Sequence, residues 1–195
     1  MPNIYEVLGV SAGVIGLAGY IPYLYSIFQG KTRPNRASWF IWTLVGGLLA
    51  VSYIAEGNSH AIWLPIGYFL GPFIVAFLSL KYGYSEWSRL DTICIIAACI
   101  SIIPWWLSDN ANYTLLINLV IDSTGAIPTI LKTYKEPETE DFTAWTIFFI
   151  ANTLQVLAVR YWDISGAYPI YLFILAATIF GLTLKGKIKN RVSVI

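Results

Sequence analysis

Gly19-Tyr20-Ile21-Pro22 returns as Gly125-Ala126-Ile127-Pro128, and Trp39-Phe40-Ile41 returns as Trp145-Thr146-Ile147. One ungapped shift of 106 residues superimposes both pairs. The same shift matches Val14-Ile15 with Val120-Ile121 and Leu48 with Leu154. Apolar letters coincide easily by chance, but a proline and a tryptophan held in one register do not. A shift of 104 extends the match further, pairing Pro65-Ile66 with Pro169-Ile170, Phe69 with Phe173 and Leu80-Lys81 with Leu184-Lys185. An internal repeat fixes the architecture before any single residue is weighed.

The repeats lie in a very apolar chain. Charged residues make up 12% of it and the mean hydropathy is +0.65. Soluble domains carry about twice that charged fraction. The composition therefore predicts an all-α integral membrane protein. A formal net charge of +1 gives no footing for nucleic acid as a partner. Cys94 and Cys99 sit five apart in an apolar run, turned away from each other on a helix, and read as packing residues rather than metal ligands. No basic residue precedes the first apolar run, so that run reads as a retained helix rather than a secretory leader.

A membrane span needs about 20 mostly apolar residues. Seven stretches qualify: Tyr5 to Phe28, Ala37 to Ala55, Ala61 to Leu80, Leu90 to Leu107, Tyr113 to Leu131, Phe142 to Tyr161 and Ala167 to Lys185. Their continuity excludes the alternating pattern of barrel strands. The matched spans are four apart, so they cross in the same direction and the repeats are parallel. The expected organisation is a three-helix repeat over 1–83, a linker helix over 84–110, and a second three-helix repeat with a short tail over 111–195.

Lys31, Arg33 and Arg36 follow the first span, Lys81 and Arg89 the third, Lys132 and Lys135 the fifth, and Lys185, Lys187, Lys189 and Arg191 the seventh. Arg160 alone falls on the other side. The positive-inside rule then places the amino terminus outside and the carboxyl terminus in the cytoplasm. Glu136, Glu138, Glu140 and Asp141 do not disturb this, because the rule tracks Lys and Arg. The short loops and small size suit a bacterial inner membrane.

Inside the spans, Asp122 stands out as an ionisable side chain within an apolar helix, which is by default a functional-site hypothesis. Asn118, Asp122, Gly125 and Thr129 fall on one helical face. Their counterparts by the repeat are Ala12, Gly16, Gly19 and Tyr23. Span six adds Asn152 and Trp145, and span two adds Trp42. Aromatic faces beside amides suit a small polar solute. The expected solute-binding set is therefore Asn118, Asp122, Thr129, Trp145, Asn152, Trp42 and Tyr23. Pro22 and Pro128 each remove a helix hydrogen bond, freeing the carbonyls of Ala18 and Thr124. With Gly19 and Gly125 they form the expected gating positions. A variant reading couples transport to protons through Asp122. No nucleophile triad, nucleotide loop or metal cluster is legible, so neither an enzyme nor a cofactor is expected; His60 reads as a loop residue.

The three-one-three order, the outside amino terminus and the Gly-x-x-Pro at Gly19–Pro22 and Gly125–Pro128 resemble the SWEET and PQ-loop superfamily. Pro22-Tyr23 and Pro128-Thr129 stand where that family has Pro-Gln, so the resemblance is to a divergent member. Spans three and seven offer Tyr68, Tyr168, Tyr171 and Thr178 where sugar-carrying members have asparagines. The resemblance implies two three-helix bundles around a central solute path, alternating access, and prolines acting as hinges. The function it implies is transport of a small polar solute such as a sugar, amino acid or vitamin. The KDEL receptors share this fold group, so the alternative is a non-transporting seven-helix receptor or accessory subunit.

Overall fold

The computed structural model describes residues 3–55, 63–84, 86–108, 110–162 and 164–192. His60 and the first residues of the expected third span lie outside them. Among the described residues the chain is all helical, in the order α1 (Ile4–Phe28), α2 (Arg36–Ala55), α3 (Trp63–Tyr82), α4 (Arg89–Trp106), α5 (Ala111–Lys135), α6 (Phe142–Leu157) and α7 (Ala167–Val192). Short 3-10 turns at Pro137–Thr139 and Ile164–Gly166 precede α6 and α7. Among the described residues, four stretches are long and apolar enough to cross a membrane: Ile4–Phe28, Arg89–Trp106, Asn112–Lys135 and Ala167–Lys189.

Local chemistry sets the helix ends. Asn3 and Glu6 close a capping box at the start of α1, and Ser88 and Asp91 close another at the start of α4. Asn35 Oδ1 accepts from Ser38 N at the start of α2, and Asp141 Oδ1 accepts from Ala144 N at the start of α6. These two caps occupy equivalent repeat positions. After α1 the chain turns through Gly30 at φ 69°, which only a residue without Cβ adopts cheaply. Helix α6 stops at Leu157, short of the expected Tyr161. The Ala158 amide is shared between the Leu154 and Gln155 carbonyls, and the Val159 amide tightens onto Val156.

The chain divides into two compact units. One comprises Met1–Thr32 and Ile130–Ile195, the other Arg33–Thr129. In the first, α6 packs against both α1 and α7. In the second, α2 packs against α3 and α4. These units do not follow the repeat boundaries expected from the sequence: α1 lies in one unit, α2 and α3 in the other.

Over Ala12 to Gly19 helix α1 is polarised by size rather than by polarity, while towards its end it buries Tyr23, Ser26 and Ile27. Its buried residues include Ala12, Gly13 and Gly19, while Val7, Val10, Val14, Leu17, Ile21, Tyr25 and Phe28 form an exposed stripe. Each large apolar side chain left in water forgoes roughly 1.5–3 kcal/mol. One such stripe would consume the entire stability of a typical fold, about 5–15 kcal/mol. Hydrocarbon must therefore be the solvent on that face, and the small buried residues permit the close helix approach that membranes favour. Exposed Ile93, Ile96, Ile100 and Ile103 repeat the pattern on α4. The chain is an α-helical membrane protein on these grounds.

Candidate functional site

Within the first unit, α1 and α6 run antiparallel through small residues. Gly9 faces Ala158, Gly16 faces Ala151, and Gly19 faces Phe148 and Ile147. A Cβ on Gly19 would stand 2.6 Å from the Phe148 ring. Within the second unit, Gly125 of α5 meets Ile41 and Trp42 of α2, and a Cβ there would stand 2.8 Å from Ile41 Cγ2. Gly19 with Ile147 and Phe148, and Gly125 with Ile41 and Trp42, are the same contact displaced by 106 residues. Both glycines are thus explained by packing of the helix that precedes each proline. Helices α1 and α5 run unbroken through Pro22 and Pro128. The Thr129 amide, next after Pro128, donates to Ser38 Oγ of α2 at 3.1 Å. The equivalent of Ser38 is Ala144, which has no side-chain acceptor to offer Tyr23.

The expected solute-binding residues divide between the units. Asn118, Asp122, Thr129 and Trp42 belong to the second, together with Gly125 and Pro128; Tyr23, Trp145 and Asn152 belong to the first, together with Gly19 and Pro22. In α5, Asn118 is 2% exposed and Asp122 is 5% exposed. Asn118 Oδ1 has no hydrogen-bond partner among the described residues, and neither has the buried Trp42 Nε1. Ser123 and Thr124 return their hydroxyls to the α5 carbonyls of Leu119 and Ile121. Among the buried side-chain atoms of α5, Asn118 Oδ1 is thus left without a hydrogen-bond partner among the described residues.

Asn152 is half-buried, and its Nδ2 donates to Phe148 O of its own helix at 2.8 Å. At its repeat equivalent, Gly46, the α3 backbone comes so close that a Cβ would lie 2.8 Å from Tyr68 O. Tyr23 and Trp145 converge on a residue that the sequence reading passed over. Tyr23 Oη donates to Glu140 Oε2 at 2.9 Å and Trp145 Nε1 donates to the same oxygen at 2.7 Å. Lys132 Nζ pairs with Glu140 Oε1 at 2.5 Å. All four side chains are buried. This hub joins α1, the last turn of α5 and the start of α6. It also accounts for α5 continuing a turn past the expected Leu131.

A second buried carboxylate, Asp91, accepts from Asn35 Nδ2 at 2.9 Å through Oδ1, while Oδ2 accepts from Ser88 N and Ser88 Oγ. It ties the start of α2 to the start of α4. No polar pattern in the sequence separates Glu140 or Asp91 from the solvated acids around them. Only the tertiary approach of Tyr23, Lys132, Trp145 and Asn35 selects them. No group of three or more His, Cys, Asp and Glu arranged to hold a metal occurs among the described residues.

The chain matches no family model, no curated protein and no solved structure.

Proposed function

We propose that the chain is a membrane transporter for a small polar solute, with the solute's path lined by the Asn118–Asp122 face of α5. The observation that carries this reading is a carboxylate and an amide, both nearly inaccessible, side by side within a helix long and apolar enough to cross a bilayer. A charge in such a place is costly and persists where it serves an ion or solute pathway. The paired glycine contacts at Gly19 and Gly125 support two parallel three-helix repeats of the SWEET and PQ-loop type, joined by α4, with an outside amino terminus in a bacterial inner membrane. Pro22 and Pro128 lie beside those contacts and supply the give that alternating access requires. The solute is polar and small, and Asp122 couples its movement to protons.

Reconstitution into liposomes tests this. Solute uptake should exceed that of protein-free vesicles and rise under an inward proton gradient. Asp122→Asn should abolish the response to the gradient. Uptake by this variant that still follows the gradient would remove Asp122 from the coupling, and absence of uptake for every small polar solute offered would overturn transport.

A further inference from the structure

Helix α7 is longer than the bilayer it enters. Its 26 residues reach about 39 Å at about 1.5 Å each, against a hydrocarbon core of about 30 Å. The excess is basic: Lys185, Lys187 and Lys189 follow the apolar run, and all three are exposed. The last two turns therefore stand at headgroup level. They are also held in place. The helix packs on the Pro137–Thr139 turn, and a Cβ at Gly186 would collide with the Pro137 ring. Lys187 Nζ rests 4.3 Å from the centroid of the Phe142 ring, and Phe142 packs on Phe180 of α7. With that side occupied, Lys185, Ile188 and Lys189 share the outer face, and Ile188 is 55% exposed. Lys185 and Lys189 are one turn apart, where like charges repel, and neither makes a salt bridge among the described residues. The same end of the unit carries exposed Tyr25, Phe28 and Lys31 at the close of α1, and Tyr134 and Lys135 at the close of α5. Aromatic rings beside lysines are the composition of a membrane–water interface. Against these lysines stand the exposed Glu138 and the half-buried Glu136 and Asp141, of which Asp141 caps α6.

We infer that this end of the unit, centred on Lys185, Ile188 and Lys189, binds the headgroup of an anionic phospholipid. The two ammonium groups donate to phosphate oxygens, and Ile188 lies against the first carbons of an acyl chain. An anion between Lys185 and Lys189 replaces their mutual repulsion with two attractions. Each basic residue beside a span adds about fivefold to the affinity for anionic lipid. Phosphatidylcholine has the same phosphate but brings its own cation, so net charge discriminates against it. A free phosphate shares the charge but has nothing to lay on Ile188. The contacts of Gly186 and Lys187 fix where the outer lysines stand, which favours one held lipid over a diffuse atmosphere of them. The inference is independent of the transport reading, because it needs only that α7 cross a membrane.

The test is native mass spectrometry of the purified full chain in a non-ionic detergent, titrated with dioleoyl-phosphatidylglycerol or dioleoyl-phosphatidylcholine. The chain should retain phosphatidylglycerol at concentrations where phosphatidylcholine is lost. Lys185→Gln with Lys189→Gln should weaken that retention about 25-fold, at about fivefold per lysine. Ile188→Ser should weaken it severalfold. Lys185→Arg with Lys189→Arg should keep it, which separates loss of charge from loss of fold. Arg160→Gln removes a charge at the other end of α6 and should leave retention unchanged. Equal retention of the two lipids overturns the inference. So does an equal loss in Arg160→Gln and in Lys185→Gln alone, which would make net charge the cause. Displacement of phosphatidylglycerol by millimolar inorganic phosphate also overturns it, assigning the lysines to a free anion.

Discussion

At the scale of single residues, Glu140 ties the first unit together across several elements. Its two oxygens take three donors from three elements: Tyr23, Lys132 and Trp145. Removing one partner of a buried ion pair leaves the other charge uncompensated, at about 3–5 kcal/mol. Removing a hydrogen bond to a charged group costs about 1.5–3 kcal/mol. Glu140→Gln should therefore lower stability more than Tyr23→Phe, measured by chemical denaturation in one detergent. The double replacement Lys132→Met with Glu140→Leu should recover part of the loss. An equal cost for Glu140→Gln and Tyr23→Phe would show that the ion pair is not what holds the hub. Glu140 also marks where reading residues from sequence stops working. Asp122 and Asn118 are legible because polar letters interrupt an apolar run. Glu140 sits in Glu136–Asp141, a run that reads as a solvated loop, and its neighbour Glu138 is indeed exposed. What draws Glu140 inward is Lys132 and Tyr23, eight and 117 residues away.

At the scale of helices, close approach is set by glycine. A Cβ at Gly46 would press on the α3 backbone itself, 2.8 Å from Tyr68 O and 2.9 Å from Phe69 Cα, whereas one at Gly181 of α7 would meet nothing within 4 Å. Backbone cannot swing aside as a ring can. Gly46→Ala should cost about 1–3 kcal/mol from overpacking. Gly181→Ala should be neutral, or stabilising by up to about 1 kcal/mol through helix propensity. Similar losses at both sites would mean that the α2–α3 approach is not tight at Gly46. The glycines were visible in the sequence only as repeat letters and as gaps where Asn152 and Asp122 have side chains. Their packing role needs the partner helix to be known. Helix α5 supplies a second prediction. Ser38 Oγ holds the Thr129 amide beside Pro128, and no hydroxyl stands at the equivalent place beside Pro22. Ser38→Ala should speed hydrogen exchange at Thr129, with a stability loss of about 0.5–1.5 kcal/mol for the hydrogen bond it removes. Unchanged exchange at Thr129 would show that the amide is held by its own helix.

At the scale of the whole molecule, the exposed stripes of α1 and α4 make the bilayer the surrounding solvent, and the proposed direction of crossing rests on the cationic residues. On the seven expected spans, Lys and Arg gather in alternate loops. The hub refines the count, since Lys132 is buried against Glu140 and its charge is not offered to lipid or water. The bias then rests on Lys31, Arg33, Arg36, Lys81, Arg89, Lys135 and the basic residues of α7 against Arg160, still heavily one-sided. An alkaline phosphatase reporter, active only outside the cytoplasm, should be silent when fused after Lys135 and active when fused after Arg160. Lys132→Met should leave both readings unchanged, because a charge already neutralised by Glu140 contributes nothing further to the bias. Activity after Lys135 would reverse the orientation. A lysine placed on the lipid-facing stripe, as in Val14→Lys, adds about 2.5–3.5 kcal/mol to insertion if it falls mid-span. It should lower the membrane-inserted fraction far more than a lysine placed at the exposed Gln29, near the end of the same helix. Equal insertion of the two would mean that the α1 stripe does not face hydrocarbon.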